Sequence, residues 1–203
     1  VTSWTDTAGI SKKTITHNLT TSNYQYDYLS VAEIDTLIEK VAPLTARSYL
    51  EPAATLAACI STPGTFFHGS NASPITLYIH AFAGNPNSNG RRYEVAVRNA
   101  CIYASGQSGI TLSNMLLRDA AGGYGMLGAT SGGIENVYVN KVVFQGGVTH
   151  STVTRSGIIE NSVYIAGSKT VNLGHVFYES DAAGNYSVFR NNYMFDYPNF
   201  IYS

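Results

Sequence analysis

Three charged residues occupy equivalent places in a recurring motif, and their types suit chemistry on a glycosidic bond. The motif reads apolar, any, Asn, any, any, apolar or aromatic. It occurs at Val97–Ile102, Leu112–Leu117, Ile134–Val139, Ile159–Tyr164 and Phe189–Met194, with asparagines at 99, 114, 136, 161 and 191. The residues just before the last four asparagines are Ser113, Glu135, Glu160 and Arg190. If successive repeats stack in register, Glu135 and Glu160 lie one rung apart and Arg190 stands on the next. Carboxylates about 5 Å apart match the spacing used by retaining glycosidases. Their repulsion would raise one pKa and set an acid beside a base. The simpler reading is a solvated charge column in which Arg190 pairs with Glu160 for little energy.

Other side chains offer weaker chemistry. Tyr124, Tyr138, Tyr178, Tyr186, Tyr193 and Tyr197 could stack on sugar rings, although Tyr is also an ordinary strand residue. Asp119 and Asp196 each follow their Asn by five residues, three rungs apart, or about 14 Å, which is too far for paired acid–base work. Each reads as a turn residue. His150 and His175 lie in loop-rich sequence and could act as bases, but a lone His is more often structural. His68 and His80 fall in predicted strands and read as packed. Cys59 and Cys101 sit among apolar neighbours and read as two buried thiols, with a disulfide left open. No close Cys or His spacing suggests a metal, and no cofactor is implied. Asn18, Asn71 and Asn185 begin glycosylation sequons, which matter only in a glycosylating pathway.

The elements that must hold these residues follow from periodicity. The asparagine intervals are 15, 22, 25 and 30 residues, and the last three suit coils of a solenoid with loops of varying size. A coil cannot bury its apolar face alone, so coils stack in parallel about 4.8 Å apart. Asn at each corner tolerates the left-handed turn, and glycines between the motifs mark further turns. Upstream, Ser30-Val31-Ala32-Glu33 reads as a capping box. Ile34, Leu37, Ile38 and Val41 then form the apolar face of a helix that Pro43 stops. A second short helix is predicted from Pro52 to Cys59. Residues 65–68, 75–79 and 93–97 read as strands, separated by a turn-rich loop at 85–90. Residues 1–29 read as an extended arm. The organisation expected is an arm and helical cap over 1–64 and a parallel β-helix over 65–203.

Composition narrows the partners. Of 203 residues, 44% are hydrophobic and only 12% charged, with 15 Tyr and a formal net charge of −1. Charged residues are about half as frequent as in ordinary soluble domains. Lacking any basic run, the chain is not expected to bind nucleic acid. No apolar stretch is long enough for a membrane-spanning helix. The first residues lack the pattern of a signal peptide, and the chain reads as a processed product or fragment.

The asparagine ladder resembles the right-handed parallel β-helix superfamily of pectate lyases, polygalacturonases and phage tailspikes. The stretch Leu77 to Glu94, with its strand, Asn/Pro/Gly loop and Tyr-Glu strand, is similar to the entry segment of secreted members. The resemblance implies an all-β fold: a right-handed, single-stranded parallel β-helix with a short helical cap. It carries over no catalytic motif. The expected function is therefore an extracellular or virion-surface module that recognises glycans. A polysaccharide lyase or hydrolase is the alternative, and a purely structural solenoid is a third. The apolar arm and the absence of a polar cap at residues 199–203 suggest a homo-oligomer, such as a trimer, or further chain covering that end.

Overall fold

The computed structural model describes residues 5–7, 10–15, 29–69, 74–98, 100–121, 126–129, 133–146, 152–167, 175–179, 187–195 and 199–202. The chain is predominantly β and divides into two compact units, Val1–Val97 and Arg98–Ser203. The division thus falls well after the expected boundary at residue 64.

Unit 1 is built from β1 (Thr5–Thr7), β2 (Ile10–Ile15), β3 (Ser30–Asp35), β4 (Arg47–Tyr49), β5 (Glu51–Pro52), α1 (Leu56–Ser61), β6 (Thr65–His68), β7 (Ile75–His80) and β8 (Arg91–Ala96). One sheet has the order β1-β2-β7-β6-β5 and a second the order β4-β3-β8. Every described pair is antiparallel except β5 with β6. The predicted strands at 65–68, 75–79 and 93–97 are thus present, the last shifted to Arg91–Ala96. Part of the supposed arm is the β1–β2 hairpin.

The helix expected after Ser30 is not formed. Ser30–Asp35 is instead the central strand of the three-stranded sheet, paired on both sides, with Val31, Ala32, Glu33 and Ile34 all buried. A helix would bury one stripe, whereas a central strand buries both faces and satisfies its backbone on both edges. Tertiary pairing therefore overrides the local capping signal. Asp35 ends the strand, its carboxylate accepting from the Leu37 and Ile38 amides at 2.9 and 3.0 Å. A single 3₁₀ turn follows at Ile38–Lys40. Leu37 and Val41, expected on a buried helical face, are 74% and 83% exposed.

The second predicted helix begins later than expected. Its N-cap is Thr55, whose hydroxyl accepts from the Ala58 amide at 3.1 Å. Pro52 belongs to β5, where the amides on either side of it, of Glu51 and Ala53, bond to the Gly64 and Phe66 carbonyls. Proline suits such an edge position because it has no amide to donate.

Glu33 is the buried polar link of unit 1. Its carboxylate accepts from the Phe82 amide at 2.8 Å and the Ala83 amide at 3.2 Å, holding the turn after β7. Glu33→Ala would leave both amides without their charged acceptor. The expected cost is about 2–3 kcal/mol in urea unfolding, with Glu33→Gln costing about half as much. A loss below about 0.5 kcal/mol for Glu33→Ala would mean that the turn is held by something else.

Unit 2 contains β9 (Ile102–Tyr103), β10 (Thr111–Arg118), β11 (Leu127–Gly128), β12 (Val137–Gln145), β13 (Thr152–Thr154), β14 (Gly157–Glu160), β15 (Val163–Ile165), β16 (His175–Glu179), β17 (Ser187–Arg190), β18 (Tyr193–Phe195) and β19 (Asn199–Tyr202). The larger sheet has six strands in the order β17-β14-β12-β15-β18, with β10 also paired to β12. The smaller has the order β19-β16-β13-β11-β9. Every described strand pair here is parallel.

These are separate small sheets, and the described residues form no sustained single-stranded helical solenoid. The resemblance to the right-handed β-helix superfamily is therefore overturned, although the all-β class stands. The repeat misled because asparagine spacing was equated with coil length. The actual register pairs Thr111 with Tyr138, Tyr138 with Ile158 and Ile158 with Val188, at offsets of 27, 20 and 30 residues. The left-handed corner positions are accordingly Asn114, Lys141, Asn161 and Asn191, with φ of 53°, 57°, 53° and 53°. Asn136 also has positive φ, but it stands outside this column and donates its amide to Ser108 at 3.1 Å.

Columns of apolar side chains form the core of unit 2. Leu112, Val139 and Ile159 stack on one side of the corner, and Leu117, Phe144 and Tyr164 on the other, all buried. Phe144 and Tyr164 stack with ring centroids 4.7 Å apart and planes at 6°. Ser162 is fully buried at the corner but satisfied, donating to the Glu160 carbonyl and accepting from the Val142 amide.

Candidate functional site

Strand alternation decides which side chains leave the core of the larger sheet. Val139 on β12 and Ile159 on β14 point inward and are buried. Their neighbours point the other way, because successive side chains on a strand face opposite sides. The outward set is Tyr138 and Asn140 on β12, Ile158 and Glu160 on β14, and Val188 and Arg190 on β17. Pairing aligns Ser113, Asn140, Glu160 and Arg190 across four adjacent strands.

Glu160 is the centre of this face. Its Oε1 accepts from the Tyr138 hydroxyl at 2.8 Å, and its Oε2 accepts from Arg190 Nε at 2.6 Å. The Glu160 side chain is 12% exposed and that of Arg190 58%. The Tyr138 hydroxyl, and then the Arg190 guanidinium, hold the Glu160 carboxyl below its ordinary range, outweighing a small opposing effect of burial. The same bond to Glu160 raises the Tyr138 hydroxyl. Glu160 is thus an ionised acceptor at neutral pH, and Tyr138 a neutral donor. Alongside, Asn161 Nδ2 donates to Asn140 Oδ1 at 3.0 Å, tying the corner to the face. Ile158 and Val188, 37% and 45% exposed, add an apolar strip beside the polar column.

The expected carboxylate pair is not assembled. Glu135 stands opposite Ser108 in an isolated bridge and pairs with Arg155 at 3.2 Å. The residue beside Glu160 on β12 is Asn140, five positions beyond Glu135. The supposed neighbour is displaced by the same five residues that separate Asn136 from the true corner at Lys141. The Glu160–Arg190 pair is present as anticipated. Among the described residues no carboxylate neighbours Glu160, and the lowered pKa keeps it ionised rather than poised to donate a proton near neutral pH.

Of the six tyrosines, Tyr138 belongs to the face. Tyr193 is 66% exposed on β18, across the corner. Tyr124, Tyr186 and Tyr197 lie outside the described residues, and of Tyr178 only the backbone in β16 is described. His150 and Asp196 also lie outside them, as do the three sequon asparagines, and His175 is described only as backbone in β16. Asp119 takes positive φ and its amide bonds to the Gln145 carbonyl, as suits a turn. His68 lies in β6 stacked on Phe66, and His80 in β7 with Nδ1 3.1 Å from the Cys59 carbonyl. Both cysteines are free. Cys59 is buried as expected, and burial raises its thiol. Cys101 is exposed rather than buried in the apolar setting anticipated, yet desolvation pushes its thiol up to about 11. Neither has the lowered pKa of a nucleophilic cysteine.

Asn140 and Lys141 were missed by sequence reasoning. The signal was the run Val137-Tyr-Val-Asn-Lys-Val-Val-Phe144, a long β segment that shifts the repeat unit past Asn136. Among the described residues no cluster of three His, Cys, Asp or Glu could hold a metal ion. No described helix is long and apolar enough to cross a membrane. No family model, curated protein or solved structure matches this chain.

Proposed function

We propose that unit 2 is a glycan-recognition module and that its contact surface is the face centred on Glu160. The observation that carries this reading is the fixed Tyr138–Glu160–Arg190 chain on an open sheet face. Sugars present hydroxyls that need preset donors and acceptors, together with C–H faces that pack on apolar or aromatic surface. Here Glu160 accepts, Arg190 and Asn140 can donate, and Tyr138, Ile158 and Val188 supply the surface. Because the bound conformation of Glu160 is already held by two partners, little side-chain freedom is lost on binding. The composition, poor in charge and rich in Ser, Thr, Asn and Tyr, suits a neutral, hydroxyl-rich ligand. A place outside the cell or on a virion surface is the setting proposed.

The test is a glycan array followed by calorimetric titration of any hit. Tyr138→Ala and Glu160→Gln should each weaken binding at least about tenfold while circular dichroism stays unchanged. Affinity should be flat from pH 8 to 5. A carboxyl held below its usual value near 4.3 stays ionised through that range, and the contact fails only as pH falls through its lowered pKa. A protein that binds no glycan at millimolar concentration would refute the proposal. So would binding indifferent to both substitutions.

A further inference from the structure

We propose that the glycan taken by this face is acidic, its carboxylate held by Arg190 and Lys141. The inference rests on the glycan reading above and names its ligand class.

Two independent features point to an anion. The first is Arg190. Among the described residues its side chain makes one hydrogen bond, through Nε, which donates to Glu160. The two terminal nitrogens of this side chain, 58% exposed, donate to no described residue. That edge is a planar pair of donors matched to a carboxylate. Glu160 fixes the guanidinium in place without occupying this edge.

The second is Lys141. Among the four corners of the larger sheet, three carry Asn and one carries Lys, all with φ between 53° and 57°. Asn adopts this left-handed conformation readily, whereas Lys does so against its local preference. The Lys141 side chain is exposed and, among the described residues, pairs with no carboxylate. An exposed ammonium at a backbone position that suits Lys poorly is accounted for by what it offers to a ligand. The corner and the face share one surface, because Asn161 at the next corner reaches Asn140 on the face. Two strand spacings, about 10 Å, separate the Lys141 and Arg190 positions, which one or two sugar rings would span. Counting Lys141, Arg190 and Glu160, the local charge is +1 on a chain whose formal net charge is −1.

The probes are a hyaluronan hexasaccharide and the same oligosaccharide with its carboxyls reduced to alcohols, titrated calorimetrically into the full chain. The acidic form should bind at least tenfold tighter, with an advantage that shrinks between 50 and 500 mM salt. Lys141→Asn restores the residue type of the other corners, so its Tm should not fall. It should nevertheless lose about fivefold in affinity for the acidic form and nothing for the reduced one. Arg190→Lys keeps a cation beside Glu160 but removes the planar donor edge, and it should lose at least as much. Equal binding of both forms would overturn the acidic assignment and leave the glycan reading standing. Selective binding of the acid that survives both substitutions would overturn the roles of Arg190 and Lys141. A chain that binds neither probe nor any arrayed glycan would overturn the proposed function itself.

Discussion

Gly157→Ala should disrupt the start of the β12–β14 pairing and cost about 3 kcal/mol or more. Gly157 lies opposite Val137 in the parallel register. A Cβ at this position would stand 2.3 Å from the Val137 carbonyl oxygen, 2.9 Å from its nitrogen and 3.0 Å from its carbonyl carbon. All three are backbone atoms, so no side-chain rotation relieves the overlap and the strands themselves must part. The hydrogen bond that the Val137 amide donates to the Ser156 carbonyl at 3.1 Å would be lost with them. Tyr138 and Glu160 sit within three residues of this contact, so the substitution should also disturb the Tyr138–Glu160 bond and, with it, the glycan binding proposed for the face. Gly109→Ala is the control: it too has positive φ, 76°, but its Cβ would meet open space. That change should cost only about 1 kcal/mol. Urea unfolding of the two variants decides the matter, and similar losses would show that the close approach at Gly157 is readily relaxed.

Phe144→Ala should cost about 3–5 kcal/mol. Phe144 is fully buried and stacked on Tyr164, which in turn lies 5.8 Å from the Phe189 ring. Truncation removes a large apolar surface and leaves a cavity that columns anchored by parallel hydrogen bonding cannot easily close. It also removes an aromatic contact worth about 0.5–1.5 kcal/mol beyond area alone. Phe144→Leu, which fills most of the space, should cost about 1–2 kcal/mol. Near-equal losses for Ala and Leu would place the energy in the stacking contact rather than in the filled volume.

Much local structure was legible in the sequence. The short alternating runs around Phe66, Leu77 and Tyr93 were read as strands and are strands. Asn114, Asn161 and Asn191 were read as left-handed corners and take φ of 53°. The Glu160–Arg190 pair was also anticipated. Other readings failed where a local signal met a stronger distant one. Ser30-Val31-Ala32-Glu33 carries a helix-start pattern, yet β4 and β8 draw it into a sheet. There Glu33 caps a turn some fifty residues away rather than its own helix. Asn136 looked like a corner of the ladder because it tolerates positive φ, and it does adopt it. Its place in the column belongs to Lys141, a residue with no such propensity, because pairing of β12 with β10, β14 and β15 sets where the bend falls.

The sequence by itself determined the β class, the inward and outward faces of the main strands, and several turn positions. These depend on a residue and its near neighbours: side-chain direction repeats every two residues, and left-handed tolerance belongs to Asn and Gly individually. Only the tertiary structure decided the register, and with it the site. Which residue lies beside Glu160 depends on how many residues each connection contains and how the columns pack, and neither is encoded within any one strand. A five-residue difference in that register replaces the expected Glu135–Glu160 carboxylate pair with Tyr138, Asn140 and Arg190 around a single ionised Glu160.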